Sequence, residues 1–152
     1  MATIMKRHPT NNDATSFGNL SRAQLMSRVR SKGNKTTEGR MALLLRAFHV
    51  TGWRRHMKLL GNPDFVWREE RVALFVDGCF WHGHNCGRNL APKTNAELWE
   101  KKIITTRERD ATLRQSLSRR GWAVITVWEC ELKKFPDTCI NRIRTAIRRR
   151  LR

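Results

Sequence analysis

The sequence predicts a single α/β domain with a central mixed sheet flanked by helices. Three observations carry that expectation. Two continuous apolar runs, at 71–77 (RVALFVD) and 122–128 (WAVITVW), read as strands covered on both faces. A long charged stretch at 95–120 separates them, with apolar residues at helical spacing, the pattern of a helix joining two strands. Shorter strand patterns come before these runs and a basic amphipathic helix after them, so helices and strands are mixed along the chain.

Taken in order, residues 1–19 carry Asn, Asp, Pro, Gly and Ser without a period and read as a flexible arm. Residues 20–135 form the domain and 136–152 a basic C-terminal helix. Ser21 caps a short helix with Leu25, Met26 and Val29 on one face, stopped by 31–35. Thr36 or Thr37 caps a second helix, reaching about His49, with Met41, Leu44, Leu45 and Phe48 apolar. Residues 53–57 read as a strand, Gly61-Asn62-Pro63 as a turn, 64–67 as a strand and 68–70 as another turn. After the strand at 71–77 comes an irregular loop from Gly78 to about Thr94. The helix at 95–120 points Leu98, Ile103, Leu113 and Leu117 inward and is ended by Gly121. The C-terminal helix places Ile140, Ile143, Ala146 and Ile147 on one side. No internal repeat and no second domain stand out.

Composition narrows the partners. The 152 residues carry 31 Lys+Arg against 13 Asp+Glu, a formal net charge of +18. So large a charge opposes compaction and calls for an anionic partner, either nucleic acid or an anionic membrane surface. No run of ~20 apolar residues marks a membrane span. The polar N-terminus lacks the apolar core and cleavage site of a signal peptide. The chain is therefore expected in a reducing cytoplasm, where its four cysteines serve as metal ligands or free thiols rather than disulfides.

Cys79, His82, His84 and Cys86 fall within one short turn-rich segment, and Cys130 follows directly on the last strand. Zinc takes four such ligands tetrahedrally. If the strand ending at Trp128 lies beside that at 71–77, Cys130 reaches Cys79. Five candidates for four places leave one histidine spare. A histidine beside a metal-ordered loop is a candidate general base, since its pKa lies near neutrality. Cys139, standing alone, reads as a small core residue.

Acids are scarce, so each ordered one needs a reason. A hairpin brings Asp64 and Asp77 near one end of the sheet, where two carboxylates can hold Mg²⁺. Alternatively, Asp64 caps a turn and Asp77 pairs with an arginine. Glu38 lies in the first turn of its helix, where a carboxylate complements the dipole, and Asp110 reads as a solvated helix residue beside Arg107 and Arg109. Tyr is absent, yet there are six Trp. Trp67, Trp122 and Trp128 sit in strand patterns and belong to the core. Phe80, Trp81 and Trp99 sit in or beside the loop, with Lys93, Lys101 and Lys102 not far off. They either fold back on the core or stack on nucleobases. The basic residues of 142–152 read as a nonspecific phosphate contact or a solvated face.

The strings Pro63-Asp64-Phe65-Val66, Val76-Asp77-Gly78-Cys79-Phe80-Trp81-His82, Trp99, Arg109-Asp110, Gly121-Trp122 and Val127-Trp128-Glu129-Cys130 resemble the very short patch repair (Vsr) endonucleases. Met26-Ser27-Arg28-Val29-Arg30-Ser31-Lys32 and Glu38 fit the opening segment of that family. The likeness covers roughly residues 20–133. It implies a fold related to type II restriction endonucleases, and an enzyme that nicks one strand of duplex DNA 5′ of the thymine in a T·G mismatch left by deamination of 5-methylcytosine. It implies catalytic Mg²⁺ on Asp64 and the Val76 carbonyl, and structural Zn²⁺ on Cys79, His84, Cys86 and Cys130. His82 becomes the base, Asp110 its orienting partner and Glu38 a support. Phe80, Trp81 and Trp99 become a wedge at the mismatch, with Arg28 and Lys32 also on the DNA. A monomer is implied, working at the nucleoid with mismatch-repair proteins and a cognate cytosine-5 methyltransferase. Some members carry a histidine where Asp77 stands, which leaves the role of Asp77 open. Two other readings compete: a nuclease of the same fold with relaxed or different specificity, serving restriction or defence, and a noncatalytic zinc-containing DNA-binding module. The grouping of Asp64, Asp77 and His82 argues against the last.

Overall fold

The computed structural model describes residues 37–87 and 92–152. The arm at 1–19, the helix expected near 21–30, and Arg28 and Lys32 lie outside the described residues. Helix α1 (Thr37–Ala47) buries Met41, Ala42, Leu44, Leu45 and Ala47. Strands β1 (Arg54–Arg55), β2 (Phe65–Trp67) and β3 (Val72–Asp77) follow, then α2 (Ala96–Arg119), β4 (Ala123–Trp128), α3 (Glu129–Lys134) and α4 (Pro136–Arg150). Among the described residues the four strands form one sheet in the order β1-β2-β3-β4. The first three are antiparallel, and β3 and β4 pair in parallel with Val72 opposite Ala123 and Asp77 opposite Trp128. The sheet is therefore mixed, and α2 supplies the crossover that a parallel pair requires.

Why β3 reads as unbroken apolar sequence is plain from its two faces. Val72, Leu74 and Val76 join α1, α4, Phe65, Trp67 and Val127 in the larger core. Ala73 and Phe75 face Leu117 of α2 in a smaller one. Side chains alternate along a strand, so Asp77 falls on the α2 side and Val76 on the α1–α4 side. Trp67 is fully buried and donates its indole N–H to the Thr51 carbonyl at 2.8 Å. A lone Cys139 was read as core, and it is 1% exposed against Ile140 and Ile143.

Several elements differ from expectation. The strand expected over 53–57 is only two residues long, and His56 leaves it with φ +53, a left-handed turn that ends the pairing. Helix α3 went unread: Glu131 accepts the Trp128 N–H at 3.0 Å and starts a helix directly on the strand. Leu98, expected inward, is 67% exposed, Ile103 and Leu113 are half-buried, and only Leu117 of α2 is buried. The reason is length. A helix of 24 residues spans about 36 Å, whereas a six-residue strand spans about 20 Å, so much of α2 overhangs the sheet. Among the described residues no helix is long and apolar enough to cross a membrane.

Candidate active site and metal centre

Both groups of functional candidates lie where β3 and β4 end. Asp64 stands one residue before β2. Its N–H donates to the Leu74 carbonyl at 3.0 Å, and its Oδ2 accepts the Val76 N–H at 2.7 Å. The N–H and C=O of a strand residue leave on the same side, so the Val76 carbonyl also emerges beside Asp64. Burial pushes the Asp64 carboxyl above its ordinary pKa. The Val76 N–H opposes this, the charges of Glu38 and Asp77 add to it, and His56 opposes it. Hard oxygen donors carrying surplus negative charge suit a hard divalent cation.

Opposite Asp64 lies His82. Its Nδ1 is 2.6 Å from Asp110 Oδ2, and its Nε2 is 3.8 Å from Asp77 Oδ1. Asp110 also takes a 3.1 Å hydrogen bond from Arg109. Burial works to raise the Asp110 pKa, but the donors His82 and Arg109 outweigh it and hold the group below its ordinary value, hence ionised. The bland reading of Asp110 as a solvated helix residue is thus overturned. Asp77 is 3% exposed and accepts from Arg114 Nη2 at 2.6 Å, the arginine pairing weighed as its alternative. Asp64, Val76, Asp77, His82, Asp110 and Arg114 line one cleft of about 180 Å³. Arg114 escaped the sequence reading, though it stands four residues after Asp110, one helical turn along the same face. Glu38 does not line the cleft; it accepts from Arg55 Nε at 2.8 Å and stands 3.4 Å from His56 Nε2, and it reaches Asp64 only through its charge.

The loop after β3 is a run of tight turns. The His82 N–H meets the Gly78 carbonyl, that of Gly83 meets Phe80, and that of His84 meets Cys79 at 2.9 Å. Gly83 has φ +61, and a Cβ there would stand 2.5 Å from Ile103 of α2, so only glycine lets the loop seat on that helix. The turns collect Cys79, His84 and Cys86 and meet Cys130 at the start of α3, with their four ligand atoms within 4.8 Å of one another. His84 Nδ1 lies 3.5 Å from Cys79 Sγ and 3.4 Å from Cys130 Sγ. A tetrahedron with zinc–ligand bonds of about 2.0–2.3 Å has edges of about 3.5 Å, so the set fits zinc. Burial and crowding by Cys79 and Cys86 push the Cys130 thiol up to about 11; thiols so placed ionise when a divalent cation joins them. His84 stacks on Trp128 at 4.1 Å and 3°, a contact absent from the sequence reading. His82 stays out of the cluster as the spare histidine.

Phe80, Trp81 and Trp99 form a triangle with centroids 5.0, 5.5 and 5.7 Å apart. Trp81 is 55% exposed, and the Lys102 ammonium lies 5.1 Å from the centre of the Trp99 ring. Of the three, Trp81 is exposed, while Phe80 and Trp99 are half-buried.

A histidine oriented by an ionised carboxylate and facing an acidic cleft, in a chain of net charge +18, is the equipment of an enzyme that cuts a polyanionic backbone. The family described as DNA mismatch endonuclease Vsr matches residues 14–88. A type II nicking enzyme of Xanthomonas oryzae, V.XorIIP, is 42% identical over 73% of this chain and 81% of its own. V.NmeAIP of Neisseria meningitidis, another type II nicking enzyme, is 34% identical over 87% and 93%. The DNA mismatch endonuclease Vsr of Escherichia coli is 41% identical over 63% and 62%. The chain belongs to the Vsr family of DNA endonucleases.

Proposed function

We propose that this enzyme nicks one strand of duplex DNA 5′ of the thymine in a T·G mismatch, the product of 5-methylcytosine deamination. The observation that carries the chemistry is the 2.6 Å pairing of His82 Nδ1 with Asp110, which turns Nε2 into the cleft beside Asp64. Asp64 and the Val76 carbonyl hold Mg²⁺, which supplies charge neutralisation at the phosphate and a more acidic water. His82 Nε2 takes the proton of the attacking water, and Asp110 fixes the ring and stabilises the imidazolium. Glu38 tethers Arg55 and adds negative charge near Asp64. Cys79, His84, Cys86 and Cys130 hold Zn²⁺, which orders the loop that carries His82. Phe80, Trp81 and Trp99 stack at the mismatch, where a wedge offsets a few kcal/mol of unstacking. A cytosine-5 methyltransferase encoded nearby is the expected source of the methylated substrate.

The relatives named type II nicking enzymes favour a second reading, a nuclease of this family whose specificity serves a restriction system. A nicking assay with Mg²⁺ on T·G, other mismatched and fully paired duplexes separates the two. Preference for T·G supports repair, and equal cutting of paired DNA supports the second. Asp64→Asn is expected to lower the rate by about 10³-fold or more with duplex binding retained; normal cleavage by that variant removes Asp64 from the centre.

A further inference from the structure

Asp77 and Arg114 form a unit that the base and the cation site leave unexplained. Alternation along β3 turns Asp77 toward α2, where Arg114 meets it. The guanidinium is fixed on three sides: Nη2 donates to Asp77 Oδ2 at 2.6 Å, Nη1 to Thr126 Oγ1 of β4 at 3.1 Å, and its Cζ lies 4.5 Å from the centre of the Phe75 ring. Among the described residues its Nε is a buried donor without a partner, so the side chain gives up one hydrogen bond to keep this pose. With Oδ2 engaged, Asp77 presents Oδ1 to His82 Nε2 across 3.8 Å.

That gap has a definite chemistry. The Asp110 carboxylate can only accept, so His82 Nδ1 donates to it; in the neutral ring that serves as the base, Nε2 then carries the lone pair. Asp77 Oδ1 is likewise an acceptor. Two acceptors cannot bond each other, and 3.8 Å exceeds a hydrogen bond. A molecule with two O–H donors satisfies both, and water is that molecule.

We propose that Asp77 and His82 jointly seat the nucleophilic water, and that Arg114 is a positioning residue which reserves Asp77 for this seat rather than for the metal. The inference rests on the hydrolytic reading above. The water gives one O–H to each acceptor and keeps a lone pair for phosphorus. Its oxygen bonds to phosphorus as its proton passes to Nε2. The bond from phosphorus to the leaving sugar oxygen breaks, and that oxygen keeps the electron pair and takes a proton from solvent. No redox change occurs.

The test is single-turnover cleavage of a nicking substrate by the full chain, with duplex affinity and the half-saturating Mg²⁺ concentration measured beside the rate. Asp77→Asn and Arg114→Met are each expected to slow cleavage by about 10²-fold, within the range for lost proton-transfer geometry. Affinity and half-saturating Mg²⁺ should stay within about threefold of wild type. Arg114→Lys, which keeps the charge but loses the fork, should recover about tenfold of the Arg114→Met loss. The double variant Asp77→Asn/Arg114→Met should be no slower than either single one, because the two act as a unit. Should Arg114→Met fold poorly, Asp77→Asn and Arg114→Lys carry the test. Wild-type rates in Asp77→Asn, rescue of that variant by excess Mg²⁺, or equal rates for Arg114→Lys and Arg114→Met overturn the proposal. Asp64→Asn is the control: if it cuts at the wild-type rate, the hydrolytic reading fails rather than the role of Arg114.

Discussion

The staple and the cleft sit side by side at the ends of β3 and β4, yet they are built on opposite plans. The staple draws three ligands from one loop and a fourth from Cys130, crowded into one small cluster. The cleft draws on the turn before β2, on β3, on His82 of the loop that follows β3 and on α2, and balances its charges internally through Arg109 and Arg114. A site whose parts repel or crowd one another until an ion arrives owes its integrity to that ion. A site with built-in counterions keeps its shape without one. The first should govern stability and the second rate.

Breaking the staple is the sharpest way to test that division. Cys130→Ser, or a strong zinc chelator, is expected to release one zinc per chain and destabilise the fold by about 3 kcal/mol or more, a fall of roughly 6–12 °C in melting temperature. Elemental analysis and calorimetry check it; an unchanged melting temperature would mean that the loop holds itself. The cleft predicts a smaller cost. Asp110→Asn should remove about 1 kcal/mol at pH 7 while lowering the nicking rate far more than that figure implies. The Asp110 pKa lies below its unfolded value, so its stabilisation is present above the usual carboxylate range and fades as pH falls through the folded value. Melting curves of wild type and variant should therefore converge once pH has fallen below that lowered folded-state pKa; a gap that persists there would assign the loss to packing. The smallest effect is a null one that separates the thiols. Cys139 is 1% exposed, and burial together with the nearby Glu131 charge pushes its pKa up to about 11. In the native protein at pH 8 it should resist alkylation for hours, and ready labelling by mass spectrometry would show that α4 opens.

The contrast also explains what could be read in the sequence. Cysteines and histidines at short spacing announce the staple because the loop alone brings most of them together, and parallel pairing of β3 with β4 brings in Cys130. The continuous apolar runs announced the strands because both faces are covered. The cleft was legible only through single acids and family likeness. Asp110 and Asp77 meet partners 28 and 37 residues away, His82 and Arg114, and no local pattern encodes such pairs. The one available signal was the one-turn spacing from Asp110 to Arg114. Helical period placed α2 correctly but misjudged Leu98, since period reports a face and not whether anything lies opposite it. The strand expected over 53–57 is cut short at Arg55 because a left-handed His56 is invisible to propensity.

The overhang of α2 has a mechanical consequence. Trp99 and Asp110 ride on one unbroken helix, eleven residues apart, which sets them about 16 Å from each other along its axis. The helix is thus a ruler. On the proposed function, a duplex held at the aromatic end would present to His82 and Asp110 the phosphate that lies one ruler-length away. Adding a single residue between Trp99 and Asp110 would turn one end about 100° against the other and put the grip and the blade on different sides of the rod.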